Sequence, residues 1–421
     1  MSETYRCRDI AFSLEKRGAD QYTKTSYPLR YGVFSEIETP DAILQFNLND
    51  EIIQARGKGR DWPDPQEWLK RTVGNDWIYY STGGYAGVFE AIGEYYLPNT
   101  PYPTNSLIGG KFLSLPSVAR LAGSWHDLLR DTAVGHDAPG AILDFLSRVL
   151  ANSPAVLQKR AEALFAISGG RVTVLPPDAR HVDYNVIPLT VAEGCLYKCR
   201  FCRVKTDSPF REMEPGEVDR QIRGLKSWYG PNLVNYNALF VGEHDALCAD
   251  AGLLTASIHK ACTALGLFSS VMRGASVFLF ASVDSLLNAP EWLFEDLERF
   301  PAAIYINVGL ESADQETLDR LGKPVTAAMI TQAFARMQAI NDRFANIEVT
   351  ANFIIDEELP ENHIPAFLRL VRDGLNRKKP KGCIYLSPRR IGRPSRSILF
   401  DFHRLKLESR LPTFLYIIQR L

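Results

Sequence analysis

The part of the chain that follows residue 185 repeats one pattern, in which a short apolar run is followed by an amphipathic segment. The apolar runs, interpreted as strands, are Val186–Val191, Ala238–Val241, Val277–Ala281, Ala303–Val308, Ile347–Ile355 and Cys383–Leu386. The amphipathic segments, interpreted as helices, cover residues 215–230, 253–266, 289–300, 326–342, 360–375 and 395–421. Strands that alternate with helices in this way favour right-handed βαβ units and a parallel sheet.

Six such units are two fewer than a closed eightfold barrel contains. We therefore predict an α/β fold in which residues 181–421 form a partial (β/α)6 TIM-like barrel with a C-terminal helical extension. The first barrel helix has a start signal in Pro215-Gly216-Glu217 and a stop signal in Gly230. In folds of this kind the loops after the carboxyl ends of the strands carry the chemistry.

Residues 1–180 have a different character, which predicts an additional N-terminal α+β domain that shapes the substrate side. The first 185 residues are rich in aromatics and turns and hold four of the six tryptophans. Two helical patterns lie near 117–132 and 139–167, and residues 168–185 are interpreted as a short strand and a linker. The glycines of "GGYAG", residues 83–87, lack the spacing of a phosphate-binding loop, which favours a plain turn.

The overall composition excludes some classes of partner. With 46% hydrophobic residues and a net charge of −1, the chain has no global attraction to nucleic acid or anionic membranes. No apolar run reaches the roughly 18–20 residues of a membrane span. The N-terminus carries charges where a signal peptide has its apolar core. We therefore expect a cytoplasmic protein.

The densest chemical signal is "VAEGCLYKCRFCRVK", residues 191–205, where Cys195, Cys199 and Cys202 form a C-x3-C-x2-C pattern. A structural zinc site needs a fourth protein ligand, and neither His181 nor His244 has a suitable spacing. A four-iron cluster held by three cysteines would instead leave one iron free to bind a substrate or cofactor. The remaining cysteines are expected to be buried as small hydrophobic residues, and they are Cys7, Cys248, Cys262 and Cys383.

The segment "GCLYKCRFC" resembles the C-x3-C-x-aromatic-C signature of the radical S-adenosylmethionine (SAM) superfamily. Three further segments match family motifs in the same order along the chain, and they are "LFVGEHDAL", "INVGLESADQETLDRLGKPVT" and "TANFIID". The second of these is closest in style to the branch that contains oxygen-independent coproporphyrinogen dehydrogenase and the Elongator catalytic subunit. The resemblance covers roughly residues 180–390.

This resemblance implies two cofactors, a [4Fe-4S] cluster held by the three cysteines and SAM bound to its open iron. In the family, an electron from the cluster cleaves SAM, usually to methionine and a 5′-deoxyadenosyl radical that abstracts hydrogen from the substrate. The protein contributes positioning and the exclusion of water and oxygen. An electron donor of the flavodoxin or ferredoxin type is implied as a partner.

The matched motifs also imply residues that bind SAM. Phe201 stands where the family has an aromatic beside the adenine, although an aromatic that shields the cluster fits the same position. Gly242 and Glu243 correspond to the last two residues of a Gly-Gly-Glu motif that binds the SAM ammonium, and Val241 replaces its first glycine. Ser282, after the third strand, is a weaker candidate for the ribose.

The fourth and fifth strands supply the other implied SAM contacts. Glu311 and Ser312 correspond to residues that contact the ribose or methionine part of SAM; the alternative for Glu311 is a cap on the helix near residues 313–315. Ile354 is expected to touch the adenine. Asn352 and Asp356 occupy positions where the family has glycines, so the fifth strand departs from the pattern.

Candidate substrate contacts lie outside the family signature. His244 and Asp245 directly follow the second-strand motif. A run of eight basic residues extends from Arg377 to Arg396, and its later members Arg389, Arg390 and Arg393 follow the sixth strand. Guanidinium groups at the mouth of the barrel would suit a carboxylate or phosphate, and a solvated loop is the alternative. The earlier members should lie at the opposite end of the barrel.

These observations predict a radical SAM enzyme that transforms a small anionic substrate, with the reaction type and the catalytic residue unassigned. Radical SAM modification of tRNA or protein is the second hypothesis, and RNA is a secondary partner because no RNA-binding module is recognisable. A third is a non-catalytic iron–sulfur protein. Reductive cleavage of SAM separates the first two hypotheses from the third.

Overall fold

The computed structural model describes residues 4–22, 30–62, 67–81, 115–132, 138–182, 185–202, 208–389 and 396–416. Within them, the first seven strands form one antiparallel sheet in which each strand pairs with the next along the chain. These strands are β1 (Thr4–Cys7), β2 (Ile10–Arg17), β3 (Val33–Glu38), β4 (Ala42–Phe46), β5 (Ile52–Gly57), β6 (Glu67–Arg71) and β7 (Trp77–Ser81). The aromatic residues and turns of this region therefore belong to a meander. The "GGYAG" segment lies outside the described residues.

Three helices follow this sheet, namely α1 (Pro116–Arg130), α2 (Gly140–Ala151) and α3 (Pro154–Ser168). Trp125 of α1 and Phe145 of α2 are buried in one core with residues of the sheet, and the Phe145 ring meets Phe46 edge-on at 5.8 Å. The single helix predicted over 139–167 is wrong. Ser153 accepts a hydrogen bond from Val156 N and caps a new helix that begins at Pro154.

The second sheet is parallel and has seven strands, β8 (Ile187–Leu189), β11 (Ala238–Val241), β12 (Ser276–Ala281), β13 (Ala303–Glu311), β14 (Ile347–Ile355), β15 (Ile384–Pro388) and β16 (Thr413–Leu415). Neighbours in the sheet follow chain order, as βαβ units require. A short antiparallel pair, β9 (Ala192–Glu193) and β10 (Arg211–Glu212), flanks the cysteine loop. The α/β class with a parallel sheet is confirmed, whereas the partial barrel remains a prediction.

Helices connect the parallel strands, and they are α4 (Pro215–Tyr229), α5 (Ala251–Ala264), α6 (Val283–Asn288), α7 (Glu291–Glu298), α8 (Gln315–Leu321), α9 (Ala327–Arg343), α10 (His363–Leu368) and α11 (Arg396–Glu408). The start signal of α4 is a capping box, in which Glu214 and Glu217 bond each other's backbone N–H groups. Helix α10 is shorter than predicted, because its last turn widens into a π-helix over Arg369–Asp373. No described helix is long and apolar enough to cross a membrane.

The predicted count of six strands is wrong by one, because the segment 395–421 is not a single helix. Helix α11 ends at Glu408, and strand β16 follows directly after Pro412 and pairs with β15. Proline has no N–H for a helical hydrogen bond, so it separates the two elements. Of the scattered cysteines, Cys262 and Cys383 are buried as expected, whereas Cys7 and Cys248 are partly exposed.

The two faces of the parallel sheet are covered by different parts of the chain. One face packs against the connecting helices, with Leu239 and Leu279 pointing into that core. The alternate residues Phe240 and Phe278 pack against Val172, Leu175 and other residues of the segment that follows α3. This segment contains a 3-10 helix, Pro177–His181, and no strand within described residues 168–182, so the predicted short strand is wrong.

A buried carboxylate fixes this segment against the sheet. Asp178 is fully buried, and its two oxygens accept hydrogen bonds from Tyr385 Oη at 2.7 Å and Thr350 Oγ1 at 2.8 Å. The chain of bonds continues from Asn307 Nδ2 to Thr350 and from Asn352 Nδ2 to Asn307, so it ends at the carboxyl half of β14. The segment thereby closes one side of the sheet.

The antiparallel sheet is bonded to the loop that precedes β11. The Asn235 side chain accepts a hydrogen bond from Val33 N at 2.7 Å and donates one to Val33 O at 2.8 Å. The side-chain amide thus pairs with the first residue of β3 as the backbone of a neighbouring strand would. The predicted division into domains 1–180 and 181–421 stays a prediction.

Candidate functional site

A cavity of about 220 Å³ lies at the carboxyl ends of the parallel strands. A cavity that holds a single water needs a volume of roughly 10–15 Å³, so this one can hold a much larger molecule. Every parallel strand or the loop after it contributes to the lining. The lining residues are Cys195, Tyr197, Cys199, Phe201, Cys202, Glu243, His244, Asp245, Phe280, Ala281, Ser282, Gly309, Glu311, Lys323, Asn352, Ile354, Ser387, Pro388, Arg389 and Tyr416, joined by Val174. Most of the predicted cofactor, metal and substrate residues thus surround one space.

The cysteine loop is attached to its neighbours at two points. The Tyr197 hydroxyl bonds the carboxylate of Asp284 at the start of α6 and accepts a hydrogen bond from Asp284 N at 3.1 Å. On the other side, Arg200 N donates to Leu321 O at 3.0 Å, where α8 ends. Gly322 has a φ of +66°, and a Cβ there would lie 2.7 Å from Arg200 Nε. Helices α6 and α8 together hold the loop over the cavity.

The three thiols face the cavity from one loop, and burial changes their acidity. Cys199 is 6% exposed, and burial raises the pKa of its thiol to about 11. Burial also raises the pKa of Cys195. Thiolates here therefore need a positive partner, and the Lys323 ammonium lowers both pKa values only in part. Bound iron supplies such charge, because a coordinating thiol is deprotonated outright.

The donor set suits a multinuclear iron–sulfur group, which binds through cysteine thiolates. Cys195, Cys199 and Cys202 supply three soft ligands from a single loop after β8. In the part of the chain that the structure describes, no three His, Cys, Asp or Glu side chains lie close enough to hold one metal ion. The cysteines fit the implied group by chemistry and by their shared cavity.

A buried ion pair stands beside the cysteine loop. Glu311, at the end of β13, has a φ of +65° and lies 3.8 Å from Lys323, measured from Oε1 to Nζ. The Lys323 side chain is 4% exposed, and its ammonium lies 5.0 Å from the Tyr197 ring centre. Burial raises the pKa of Glu311, and Lys323 opposes that rise. A left-handed non-glycine residue costs about 1–3 kcal/mol and marks functional sites more often than others.

The helix-cap alternative for Glu311 is wrong. Asp314 caps α8, where its carboxylate accepts from Thr317 N at 2.9 Å. The Glu311 carboxylate instead occupies space next to Gly309, where an added Cβ would lie 2.7 Å from Glu311 Oε1.

Glu243, at the end of β11, is hydrogen-bonded to the segment that follows α3. Glu243 Oε1 accepts hydrogen bonds from the backbone N of Thr173 at 3.3 Å and from its hydroxyl at 2.9 Å. Glu243 Oε2 lies 3.8 Å from His244 Nε2, and burial lowers the pKa of His244. Gly242 has a φ of +73° and lies behind this cavity, since it lines a smaller neighbouring one.

Asp245 is 5% exposed, and only one of its oxygens has a hydrogen-bond partner among the described residues. Oδ1 accepts hydrogen bonds from Ser285 Oγ at 2.7 Å and Ser282 N at 3.2 Å. Oδ2 is buried without such a partner in the described part of the chain, and the residue lines the cavity. Burial raises the pKa of Asp245. An unsatisfied buried oxygen costs about 1–3 kcal/mol, so this site favours a bound donor.

The two candidate serines are engaged in protein contacts. Ser282 Oγ caps α6 by accepting from Ser285 N at 3.1 Å, although the residue lines the cavity. Ser312 is fully buried and does not line it; its hydroxyl bonds His363 Nδ1 at 2.8 Å. His363 Nε2 in turn donates to Ile354 O at 2.9 Å, so Ser312 supports the strand that carries Ile354.

The lining also includes the apolar residues Phe280 of β12, Ile354 of β14 and Pro388 of β15, and Tyr416, which directly follows β16. Arg389 follows β15 directly and is partly buried, and its Nη1 is buried without a hydrogen-bond partner among the described residues. Arg390 and Arg393 lie outside the described residues. At the other end of β15, Lys381 donates from Nζ to Phe344 O at 2.7 Å, so this early basic residue serves the C-terminal end of α9, away from the cavity.

Sequence reasoning misses the polar residues Lys323 and Tyr197 beside the cysteine loop, and also the lining residues Phe280, Pro388 and Tyr416. Lys323 lies 12 positions after Glu311 in the sequence. Helix α8, which lies between them, brings the lysine back toward the cysteines. Lys323 belongs to the segment that matches the fourth-strand motif. The sequence feature that could have indicated it is its position directly after Gly322, which ends α8. Tyr197 lies inside the cysteine pattern itself, but no spacing indicates its bond to Asp284.

No protein-family model matches the sequence, and no curated protein does. Solved structures similar to the chain include radical SAM enzymes. A radical SAM methyltransferase from Sphaerobacter thermophilus is 15% identical over 55% of this chain and 65% of its own, with a TM-score of 0.35. The cobalamin-dependent enzyme OxsB is 17% identical over 52% of this chain and 29% of its own, with a TM-score of 0.32.

SuiB from Streptococcus suis, in its complex with SAM, is 10% identical over 71% of this chain and 61% of its own, with a TM-score of 0.36. The chain thus spans less than two thirds of the length of each of these three proteins.

Proposed function

We propose that this chain is a radical SAM enzyme that acts on a small anionic molecule. One observation carries the proposal: the three cysteines of one loop line the same cavity as acidic and basic groups that follow other strands of the parallel sheet. A cluster held by the loop and SAM bound beside it would together supply a carbon-centred radical from SAM by one-electron reduction.

The residues nearest the cysteine loop suit the methionine part of SAM. Lys323 offers an ammonium for a carboxylate, and the second oxygen of Asp245 offers an acceptor for an ammonium. Glu243 is less available for that role than the family motif implies, because Thr173 occupies its Oε1. Glu311 remains a proposed ligand of SAM, with its orientation set by Gly309 and Lys323.

The apolar residues suit the adenosine part and exclude water. Phe201 and Ile354 offer flat or smooth surfaces to a purine, and Asn352 lies on the same strand as Ile354. Gly242 and Ser282 support this arrangement through the backbone turn after β11 and the cap of α6. Exclusion of water protects a reactive radical from side reactions.

Ser312 is proposed to act on SAM indirectly. Its hydroxyl bonds His363, and His363 bonds the backbone of Ile354. The serine therefore positions the strand that is proposed to meet the adenine, and it does not itself touch the cofactor.

A small substrate is favoured over tRNA or protein because the described lining is concave and mainly apolar. His244 and Arg389 are the described polar groups proposed to meet the substrate, whereas Asp245, a substrate candidate from the sequence, is proposed for SAM instead. The electron is proposed to come from a flavodoxin or ferredoxin type of protein, in the cytoplasm, and the branch with coproporphyrinogen dehydrogenase remains the proposed affiliation.

The test is anaerobic reconstitution with iron and sulfide, followed by reduction with dithionite in the presence of SAM. We expect about four irons per chain and release of 5′-deoxyadenosine, measured by mass spectrometry. Zinc in place of iron, or a cluster that leaves SAM intact, would contradict the proposal. Salt-sensitive binding of tRNA in place of small metabolites would favour the RNA hypothesis instead.

A further inference from the structure

Arg389 lines the cavity from the end of β15, and its Nη1 atom is buried without a hydrogen-bond partner among the described residues. The cysteine loop follows β8, the first parallel strand, whereas Arg389 follows β15, the sixth. Arg389 is held in place through its backbone, since its N–H donates to Ile355 O at 3.2 Å. Its guanidinium therefore projects from the end of a buried strand, and the residue lines the cavity.

The guanidinium lacks a counter-ion among the residues that the structure describes. Its Nη1 atom is buried, and within that part of the chain it has no hydrogen-bond partner. None of the lining carboxylates forms an ion pair with Arg389: Glu311 faces Lys323, Glu243 bonds Thr173, and Asp245 bonds Ser285 through Oδ1. A buried donor without a partner is costly, so an acceptor on an anion from outside the chain would complete the site.

The surroundings of Arg389 limit what that anion can be attached to. Pro388, Ile354, Phe280 and Tyr416 belong to the lining of the same cavity, and Lys323, the other basic residue of that lining, is already paired with Glu311. A molecule with several charges would leave some of them without partners there. A molecule with one anionic group and an apolar or aromatic body would satisfy both parts.

We infer that the substrate of this site is a small molecule with an apolar body and a single carboxylate or phosphate, which Arg389 binds through its planar fork. Such a fork matches two oxygens of either group. The inference rests on the proposed function for the statement that the bound molecule is the substrate. The binding itself does not require a cluster or SAM cleavage.

The experiment uses three fragments that share a phenyl body, namely phenylacetate, phenyl phosphate and the neutral phenylacetamide. Their dissociation constants are measured by ligand-observed NMR on the full chain, without SAM and with saturating SAM. We expect phenylacetate or phenyl phosphate to bind at least about tenfold more tightly than phenylacetamide, because the neutral amide cannot form a charged hydrogen bond with Arg389. The better of the two anions identifies the carboxylate or phosphate class.

Arg389→Gln should remove this preference for the anion while SAM affinity stays within about twofold of the unaltered chain. Arg389→Lys should retain part of it, because the charge remains and the fork is lost. Arg223→Gln, at an exposed position of α4, makes the same charge change away from the cavity and should behave as the unaltered chain. Arg389→Lys keeps the test decisive if the glutamine variant fails to fold.

Three results would overturn the inference. One is equal binding of the amide and the anions, and another is an anion preference that survives in Arg389→Gln. The third is displacement of the anion by SAM together with weaker SAM binding in Arg389→Gln, which would assign the arginine to SAM. Failure of the proposed function is a separate outcome, since it appears as absent cluster or SAM cleavage while the fragment preference is unaffected.

Discussion

The two sides of the cavity differ in how the chain satisfies its polar groups. Beside the cysteine loop, Tyr197 bonds Asp284, and Lys323 faces Glu311. After β15, Arg389 lines the cavity next to the apolar Pro388, and its Nη1 atom is buried without a hydrogen-bond partner among the described residues. The first side is organised by contacts within the chain, as a preorganised cofactor site requires, and the second is the one that we propose a ligand to complete.

The largest expected effect comes from removing a cysteine of the organised side. Cys199→Ala should abolish cluster assembly, because the loop supplies only three thiolates and the cluster needs all of them. Iron content and the visible absorption of the reconstituted protein should fall to background, and SAM cleavage should be lost. Cys262→Ala, which removes a buried thiol from α5, should retain both iron and cleavage. Iron retained in Cys199→Ala would remove the loop from the site.

The next effect concerns the ion pair. Lys323→Met should weaken SAM binding by about tenfold or more, because it removes a cation and leaves Glu311 buried without one. Equilibrium dialysis of SAM measures this directly. Lys260→Met is the matched control, since that lysine pairs with Asp219 at the surface. Unchanged SAM affinity in Lys323→Met would mean that the organised side does not bind the cofactor.

A smaller effect is expected at the attachment of the cysteine loop. Tyr197→Phe removes the hydrogen bond to the Asp284 carboxylate and should lower the free energy of unfolding by about 1.5–3 kcal/mol. Denaturant titration of the apoprotein gives this value. The control is Tyr229→Phe, because the buried Tyr229 hydroxyl has no hydrogen-bond partner among the described residues. Equal effects of the two substitutions would show that the Tyr197 bond adds nothing.

The smallest expected effect is a pH dependence of the free energy of unfolding, caused by the buried His363. Burial lowers the pKa of His363 from its ordinary 6.5, so the unfolded chain takes up a proton before the folded one does. Stability should therefore fall as pH drops below about 6.5, by at most about 1.4 kcal/mol per pH unit from this residue. Denaturant titrations at pH 7 and 5.5 measure the loss, and His363→Gln should reduce it. A loss identical in the variant would exclude His363 as its source.

The elements that the sequence predicts best are those with strong local signals. Helix α4 begins at Pro215 and ends before Gly230, because its caps are encoded within a few residues. Strands β11 and β14 match their predicted bounds, since uninterrupted apolar runs leave little choice. Strand β16 has only three residues, and its pairing with β15 outweighs a weak local pattern.

Within the site, position along a strand is predictable but the partner of a side chain is not. Asp245 lies at the cavity, where its place after the second strand puts it, yet its bond to Ser285 crosses 40 residues. Ser312 follows a strand end as expected, but its hydroxyl turns toward His363. Lys323 reaches the cysteines only because α8 reverses the chain. Such contacts depend on tertiary geometry, which a single sequence does not contain.

The segment that follows α3 makes the parallel sheet unsuitable as a portable module. A truncated chain that begins at residue 186 would lack Val172, Leu175 and Asp178, and would expose Phe240 and Phe278 to water. It would also leave the hydroxyls of Tyr385 and Thr350 without their common acceptor. Recombination or grafting at the apparent start of the sheet should therefore give an aggregating product, and a viable junction has to lie before residue 171.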